Sequence, residues 1–235
     1  MTALLLAALA SFGCGQADAL RGAKQSSDSN QTGQLGPSEN YKRERLRKAL
    51  IGLTFVNERV QVDPSTSASI AQPGTRAESD AELANANALL EQNDSIGALA
   101  RFAKAIIMDA TSPKAYEGLA RALHTKGETE KMKAALITGL DKDTSLIESR
   151  YLLAQIYQGD DDFAQQIAML SGIAKGSPGY KETESRLAIA YYYRNDFAPA
   201  WKYVHVSEDL GKPVPPQFRE LLESKMREPQ RPPQN

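Results

Sequence analysis

Side chains able to do covalent, acid–base or metal chemistry are few in this chain of 235 residues, and their spacing keeps them apart. The histidines, His124 and His205, stand 81 residues apart. The single cysteine, Cys14, excludes an intrachain disulfide and any cysteine-rich metal site. Asp160-Asp161-Asp162 has the carboxylate density of a cation loop but lacks the glycine and the distal glutamate of an EF-hand. Short acidic side chains at that point suit a turn into a helix, where they accept from open backbone amides. No phosphate-cradling, nucleophile-elbow, HExxH or dinucleotide motif occurs. Lys and Arg (28) balance Asp and Glu (29), and a net charge of −1 provides no global attraction for nucleic acid. The expectation is a chain that is not an enzyme, with no catalytic residues, no cofactor, no metal and no nucleic-acid partner.

The cysteine has a different context. Residues 2–12 (TALLLAALASF) are an uncharged apolar run, too short to span a bilayer and of the length of a signal-peptide core. The run ends in Ser11-Phe12-Gly13-Cys14, after which the chain turns polar, and this resembles a bacterial lipoprotein signal in which Cys14 is lipidated. Ser11 stands where the usual lipobox has leucine, and no basic residue precedes the run. Two other readings stay open: cleavage at Ala17-Asp18-Ala19, releasing a secreted or periplasmic protein, and a buried N-terminal helix with an inert cysteine. Residues 1–19 are thus assigned to the signal. Residues 20–39, rich in Gly, Ser, Gln and Asn, are too polar to offset chain entropy and are expected to be a disordered tether.

Pro37-Ser38 offers a helix start. Leu46, Leu50, Leu53, Val56 and Val60 recur every three or four residues, so 40–60 reads as an amphipathic helix with Lys42, Arg43, Arg45, Arg47 and Lys48 crowded into its first turns. Those cations either face anionic headgroups near the anchor or form a solvated face while the leucine stripe packs on the next element. Residues 61–78, with Asp63-Pro64 and Pro73-Gly74, read as a linker.

From residue 79 the positioning elements repeat. Ala86, Ala120, Ala154 and Ala188 stand 34 residues apart, and Leu89, Leu123, Tyr157 and Tyr191 follow each alanine by three positions. Small residues allow two helices to cross closely, and large ones fill the space beside the crossing. Asn93-Asp94, Gly127-Glu128 and Asn195-Asp196 supply turns between helices. A period of 34 with these residue types resembles the tetratricopeptide repeat (TPR). The resemblance implies an all-α solenoid with right-handed superhelical stacking. Its array would cover 79–227 as units 79–112, 113–146, 147–180 and 181–214, closed by a capping helix at 215–227. Departures are Glu82 and Asn85 at apolar positions of the first unit, and Met132, Gln166 and Ile173 at small ones. The proline-rich residues 228–235 are expected to form a disordered tail.

In this family the first helix of each unit lines a concave face that binds protein segments. Transferred by position, that face holds Leu83, Asn87, Leu90, Glu117, Arg121, His124, Tyr151, Gln155, Gln158, Ile189 and Tyr192, with Ser185 in the last unit. The resemblance also places His124 on the groove side and His205 on the outer side, so a shared role for them is not expected. Leu83, Gly118, Glu148 and Leu152 fall where chaperone-binding members carry a carboxylate clamp, so that binding mode is not supported. The functional expectation is a non-enzymatic scaffold of the bacterial cell envelope, anchored to the membrane through Cys14 and binding a protein or peptide in its groove. The alternative is a secreted or periplasmic adaptor for an envelope enzyme.

Overall fold

The computed structural model describes residues 37–68 and 76–231. Cys14, the apolar run and residues 20–36 of the expected tether lie outside these. Packing divides the chain into two units, one ending at Ser149 and one beginning at Arg150. Helices dominate both.

The N-terminal unit opens with helix α1 (Pro37–Ala49) and a two-stranded antiparallel hairpin, β1 (Leu53–Val56) and β2 (Arg59–Val62), paired Leu53 with Val62 and Val56 with Arg59. A single helical turn at Pro64–Ser67 follows. Then come α2 (Arg76–Glu91), α3 (Ser95–Met108), α4 (Pro113–His124) and α5 (Thr129–Lys142). The expected helix over 40–60 is therefore corrected: it begins at Pro37 and stops at Ala49. Gly52, at φ +88°, breaks it, and Asn57 and Glu58, both in left-handed conformation, make the tight turn that closes the hairpin. The spacing of Leu53 and Val60 fitted a helix, but both side chains are buried from a hairpin instead. This boundary also reverses the electrostatics expected of the basic residues. Arg47 and Lys48 occupy the last turn of α1, where the helix dipole favours cations, and Glu39 the first. The expected linker 61–78 likewise shrinks, since residues 61–62 lie in β2 and α2 starts at Arg76.

Helices α2 and α3 pair, α4 and α5 pair, and α3 packs on α4. Ala86, Ala98 and Ala120 are wholly buried, as the crossing argument requires. The closest approach is at Gly118, where a methyl group would stand 2.1 Å from the fully buried ring of Phe102. Glu82 is buried from α2 but not alone: Arg101 (3.1 Å) and Lys104 (2.7 Å) of α3 reach its carboxylate. Helix α1 packs on α3, and the β-hairpin on α5. There the amide of Val60 donates to Thr138 Oγ1 (2.9 Å), which itself donates to the Ala134 carbonyl, and Lys133 pairs with Glu58 (2.7 Å).

Helix α6 (Ile147–Gly159) carries the unit boundary. The C-terminal unit continues with α7 (Phe163–Gly176), a 3-10 turn (Tyr180–Glu182), α8 (Thr183–Tyr193), α9 (Phe197–Asp209) and α10 (Pro216–Glu223). Its last hairpin closes over Trp201, which is wholly buried with Ala188, Ala200, Val204, Phe218 and Leu222. The first helix of the last repeat begins two residues after the expected Lys181, because Lys181 and Glu182 are both left-handed and form a turn. The expected disordered tail at 228–235 is corrected for its first residues. Trp201 Nε1–H donates to the Met226 carbonyl (2.9 Å), and Glu228 lies 2.9 Å from His205 Nε2 and 2.6 Å from Arg219. Arg231 pairs with Glu208 and Asp209. The chain up to Arg231 thus folds back along α9.

One local motif recurs. The second helices start at Ser95, Thr129, Phe163 and Phe197, a constant interval of 34. Two residues before each start stands a left-handed residue: Asn93 (φ 62°), Gly127 (70°), Asp161 (58°) and Asn195 (61°). The next residue, Asp94, Glu128, Asp162 or Asp196, has φ between −84° and −93° and precedes the helix as its cap. Asp162 accepts from the Gln165 amide at 3.1 Å, so the Asp160–Asp162 triplet serves the turn and cap expected of it.

Candidate functional site

The residues expected to line a binding face come from the first helix of each hairpin, and neighbouring hairpins present equivalent positions 34 residues apart. In the N-terminal unit this brings Asn87 of α2 beside Arg121 of α4, with Arg121 Nη1 3.5 Å from Asn87 Oδ1. Asn87 is oriented by its own side-chain amide, which donates to the Leu83 carbonyl (3.0 Å). Leu83 itself is buried at 7% exposure and belongs to the core rather than to a contact surface. Leu90 and His124 are half-buried. Glu117, also half-buried, accepts from Ser149 Oγ at 2.8 Å. Arg121 is exposed, so it is the cation of this face most open to a ligand.

The C-terminal unit treats its share differently. Tyr151 and Gln155 are buried at 7% and 6% exposure. Lys181 Nζ lies over the Tyr151 ring at 4.6 Å, Arg186 at 5.3 Å, and Tyr180 meets the ring edge-on at 6.0 Å. These neighbours come from the 3-10 turn and α8, and nothing in the local sequence around Tyr151 announces them. Gln158 is half-buried and accepts from Gln166 Nε2 at 3.3 Å, while Gln166 Oε1 is buried without a hydrogen-bond partner. Ile189 and Tyr192 are half-buried, and Tyr192 packs against Phe197 and Phe218. Ser185 is buried and hydrogen-bonded to Ser207 of α9 (2.7 Å). Tyr151 and Tyr192, both expected on the face, are therefore engaged in internal packing.

The polar contacts of these residues are structural in kind. His205, in α9, is hydrogen-bonded to Glu228 and tilted against Trp201, with ring centroids 5.9 Å apart. Tyr116 has its hydroxyl on the Ala110 carbonyl (3.0 Å), and burial, reinforced by Asp109, pushes its phenol up to about 12. Among the described residues no group of His, Cys, Asp and Glu could hold a metal ion, and no helix is long and apolar enough to cross a membrane. The N-terminal face carries several groups able to make hydrogen bonds. It offers one exposed guanidinium, a neighbouring amide, a carboxylate and an imidazole, a set suited to hydrogen-bonding a polypeptide segment. No protein-family model matches the sequence, and no curated protein matches it.

Proposed function

We propose that the helical hairpins are tetratricopeptide repeats and that the protein is a non-enzymatic scaffold. In this reading it is held to the bacterial cell envelope through lipidated Cys14 and binds a protein segment on the first-helix face of the N-terminal unit. The observation carrying the repeat assignment is the turn that recurs every 34 residues, with a left-handed residue at the same position and an acidic residue after it. A repeat of that length cannot bury both helices by itself and exists to be stacked. The binding face is centred on Arg121 with Asn87, Glu117 and His124 around it, since Tyr151 and Gln155 are consumed by internal packing.

The test is crosslinking capture from envelope extract with the full chain, wild type against Arg121→Glu. A partner retained by the first and reduced at least about tenfold by the second, with helical circular dichroism unchanged, supports the face; equal retention rejects it. The anchor is tested separately by Cys14→Ser. It should abolish metabolic lipid labelling and membrane partitioning, and unaltered labelling removes the lipoprotein reading.

A further inference from the structure

Charge within the N-terminal unit is segregated. Helix α1 carries five basic and two acidic side chains in 13 residues, while residues 50–149 carry ten basic and fourteen acidic. One element is thus net positive on an otherwise net negative body. Helix stability accounts for only part of this. Arg47 and Lys48 suit the last turn, and Glu44 pairs with both. Lys42 pairs with Glu39. Arg43 and Arg45 are exposed and take part in no ion pair among the described residues; Arg45 instead lies over the Tyr41 ring at 5.8 Å.

Packing fixes which way this charge faces. Ala49 and Leu50 are buried and α1 lies on α3, so one side of the helix is committed to the unit. Tyr41, Glu44 and Lys48 lie on the side turned away from it, while Arg43 and Arg45 stand on its two flanks, Arg45 one turn before Ala49. Tyr41 is 64% exposed there, an amphipathic ring of the type that sits at lipid headgroup level.

From these features we propose that the outward side of α1 docks against an anionic lipid surface, with Lys48 and the long flanking side chains of Arg43 and Arg45 meeting headgroup phosphates and Tyr41 the interface. The choice of a membrane over other polyanions rests on the lipid-anchor reading. Cys14 stands 23 positions before Pro37, a separation that no polypeptide can stretch beyond about 80 Å. An anchored chain therefore holds α1 within reach of the surface its lipid enters. Each base near such a surface strengthens partitioning roughly fivefold, so three together are worth about a hundredfold.

The experiment uses the full chain carrying Cys14→Ser, so that no lipid contributes, and sedimentation with vesicles of phosphatidylcholine alone or mixed with phosphatidylglycerol. One variant adds Arg43→Gln, Arg45→Gln and Lys48→Gln. A charge-matched control adds Lys114→Gln, Lys126→Gln and Lys142→Gln, all exposed elsewhere in the same unit. The expected result is binding to the mixed vesicles well above that to phosphatidylcholine, lowered about a hundredfold by the α1 variant and little changed by the control. Equal loss in both variants, or no preference for the anionic vesicles, overturns the proposal. So does α1-dependent binding to a short DNA duplex that matches or exceeds binding to the vesicles. Lipid labelling of the native chain reports the anchor independently. Failed labelling with a positive vesicle result removes the anchor and leaves the docking face, and the reverse removes only the face.

Discussion

Gly118 shows how little room the hairpin interface leaves. With a β-carbon placed 2.1 Å from a ring that has no exposure, neither helix α4 nor Phe102 can yield without displacing the other. Gly118→Ala should therefore destabilise the N-terminal unit by ~1–3 kcal/mol, although alanine is the better helix former. Urea unfolding would check it, and a neutral or stabilising result would mean the approach is looser than described. The opposite change is expected at Asp161. It holds a left-handed conformation that its counterparts Asn93, Gly127 and Asn195 adopt with residues better suited to it. Asp161→Gly should stabilise by about 0.5–1 kcal/mol, read as a raised thermal midpoint.

At the scale of elements, two contacts decide how the irregular parts are held. The β-hairpin is fastened to α5 through Thr138, whose hydroxyl takes the Val60 amide. Thr138→Ala leaves that buried amide unsatisfied, at a cost of about 1–3 kcal/mol. The expected signature is loss of hydrogen-exchange protection at Val60 with protection in α2 and α3 retained. Helix α2 depends on Glu82 being ionised. Burial raises its pKa, but hydrogen bonds and charge from Lys104 and Arg101 outweigh this and hold the carboxyl below its ordinary 4.5. A carboxyl depressed in the folded state stabilises above its unfolded value and loses that contribution as pH falls through the folded one. Stability of the unit should therefore drop below about pH 4.5, and Glu82→Gln should flatten that dependence while lowering stability at neutral pH.

For the molecule as a whole, a single tryptophan reports on the C-terminal end. Trp201 is wholly buried and its indole N–H is tied to Met226, just before the segment that Glu228 fastens to His205 of α9 and Arg219 of α10, and Arg231 to Asp209 of α9. Burial opposes the ionisation of Glu228, yet hydrogen bonds from Arg219 and His205 prevail and hold it below 4.5. By the same sign rule, this fastening is complete above that pH and is lost as acid protonates Glu228. Acidification should shift Trp201 emission to longer wavelength before helical dichroism falls, and Arg219→Gln should produce the shift at neutral pH. Coincident loss of both signals would show that the segment contributes nothing of its own.

The regular part of this fold was legible in the sequence because its determinants are local and repeated. A small residue every 34 positions, a turn former before each second helix and an acidic cap specify a helical hairpin wherever they occur. The hairpin at 53–62 was not legible, since Leu53 and Val60 fit a helical period as well as the strands' burial, and Val56, which fits only the helical period, is left exposed. The choice was made by the left-handed turn at Asn57-Glu58 together with partners on α5, some 80 residues away. Exposure within the candidate face was undecidable for the same reason. Arg121 and Gln155 occupy equivalent positions in successive hairpins, yet one is exposed and the other buried. Sequence alone determined the period, the crossings and the caps, which depend on residues near one another in the chain. Only the tertiary structure decided what remains accessible, because burial depends on neighbours that folding brings from elsewhere.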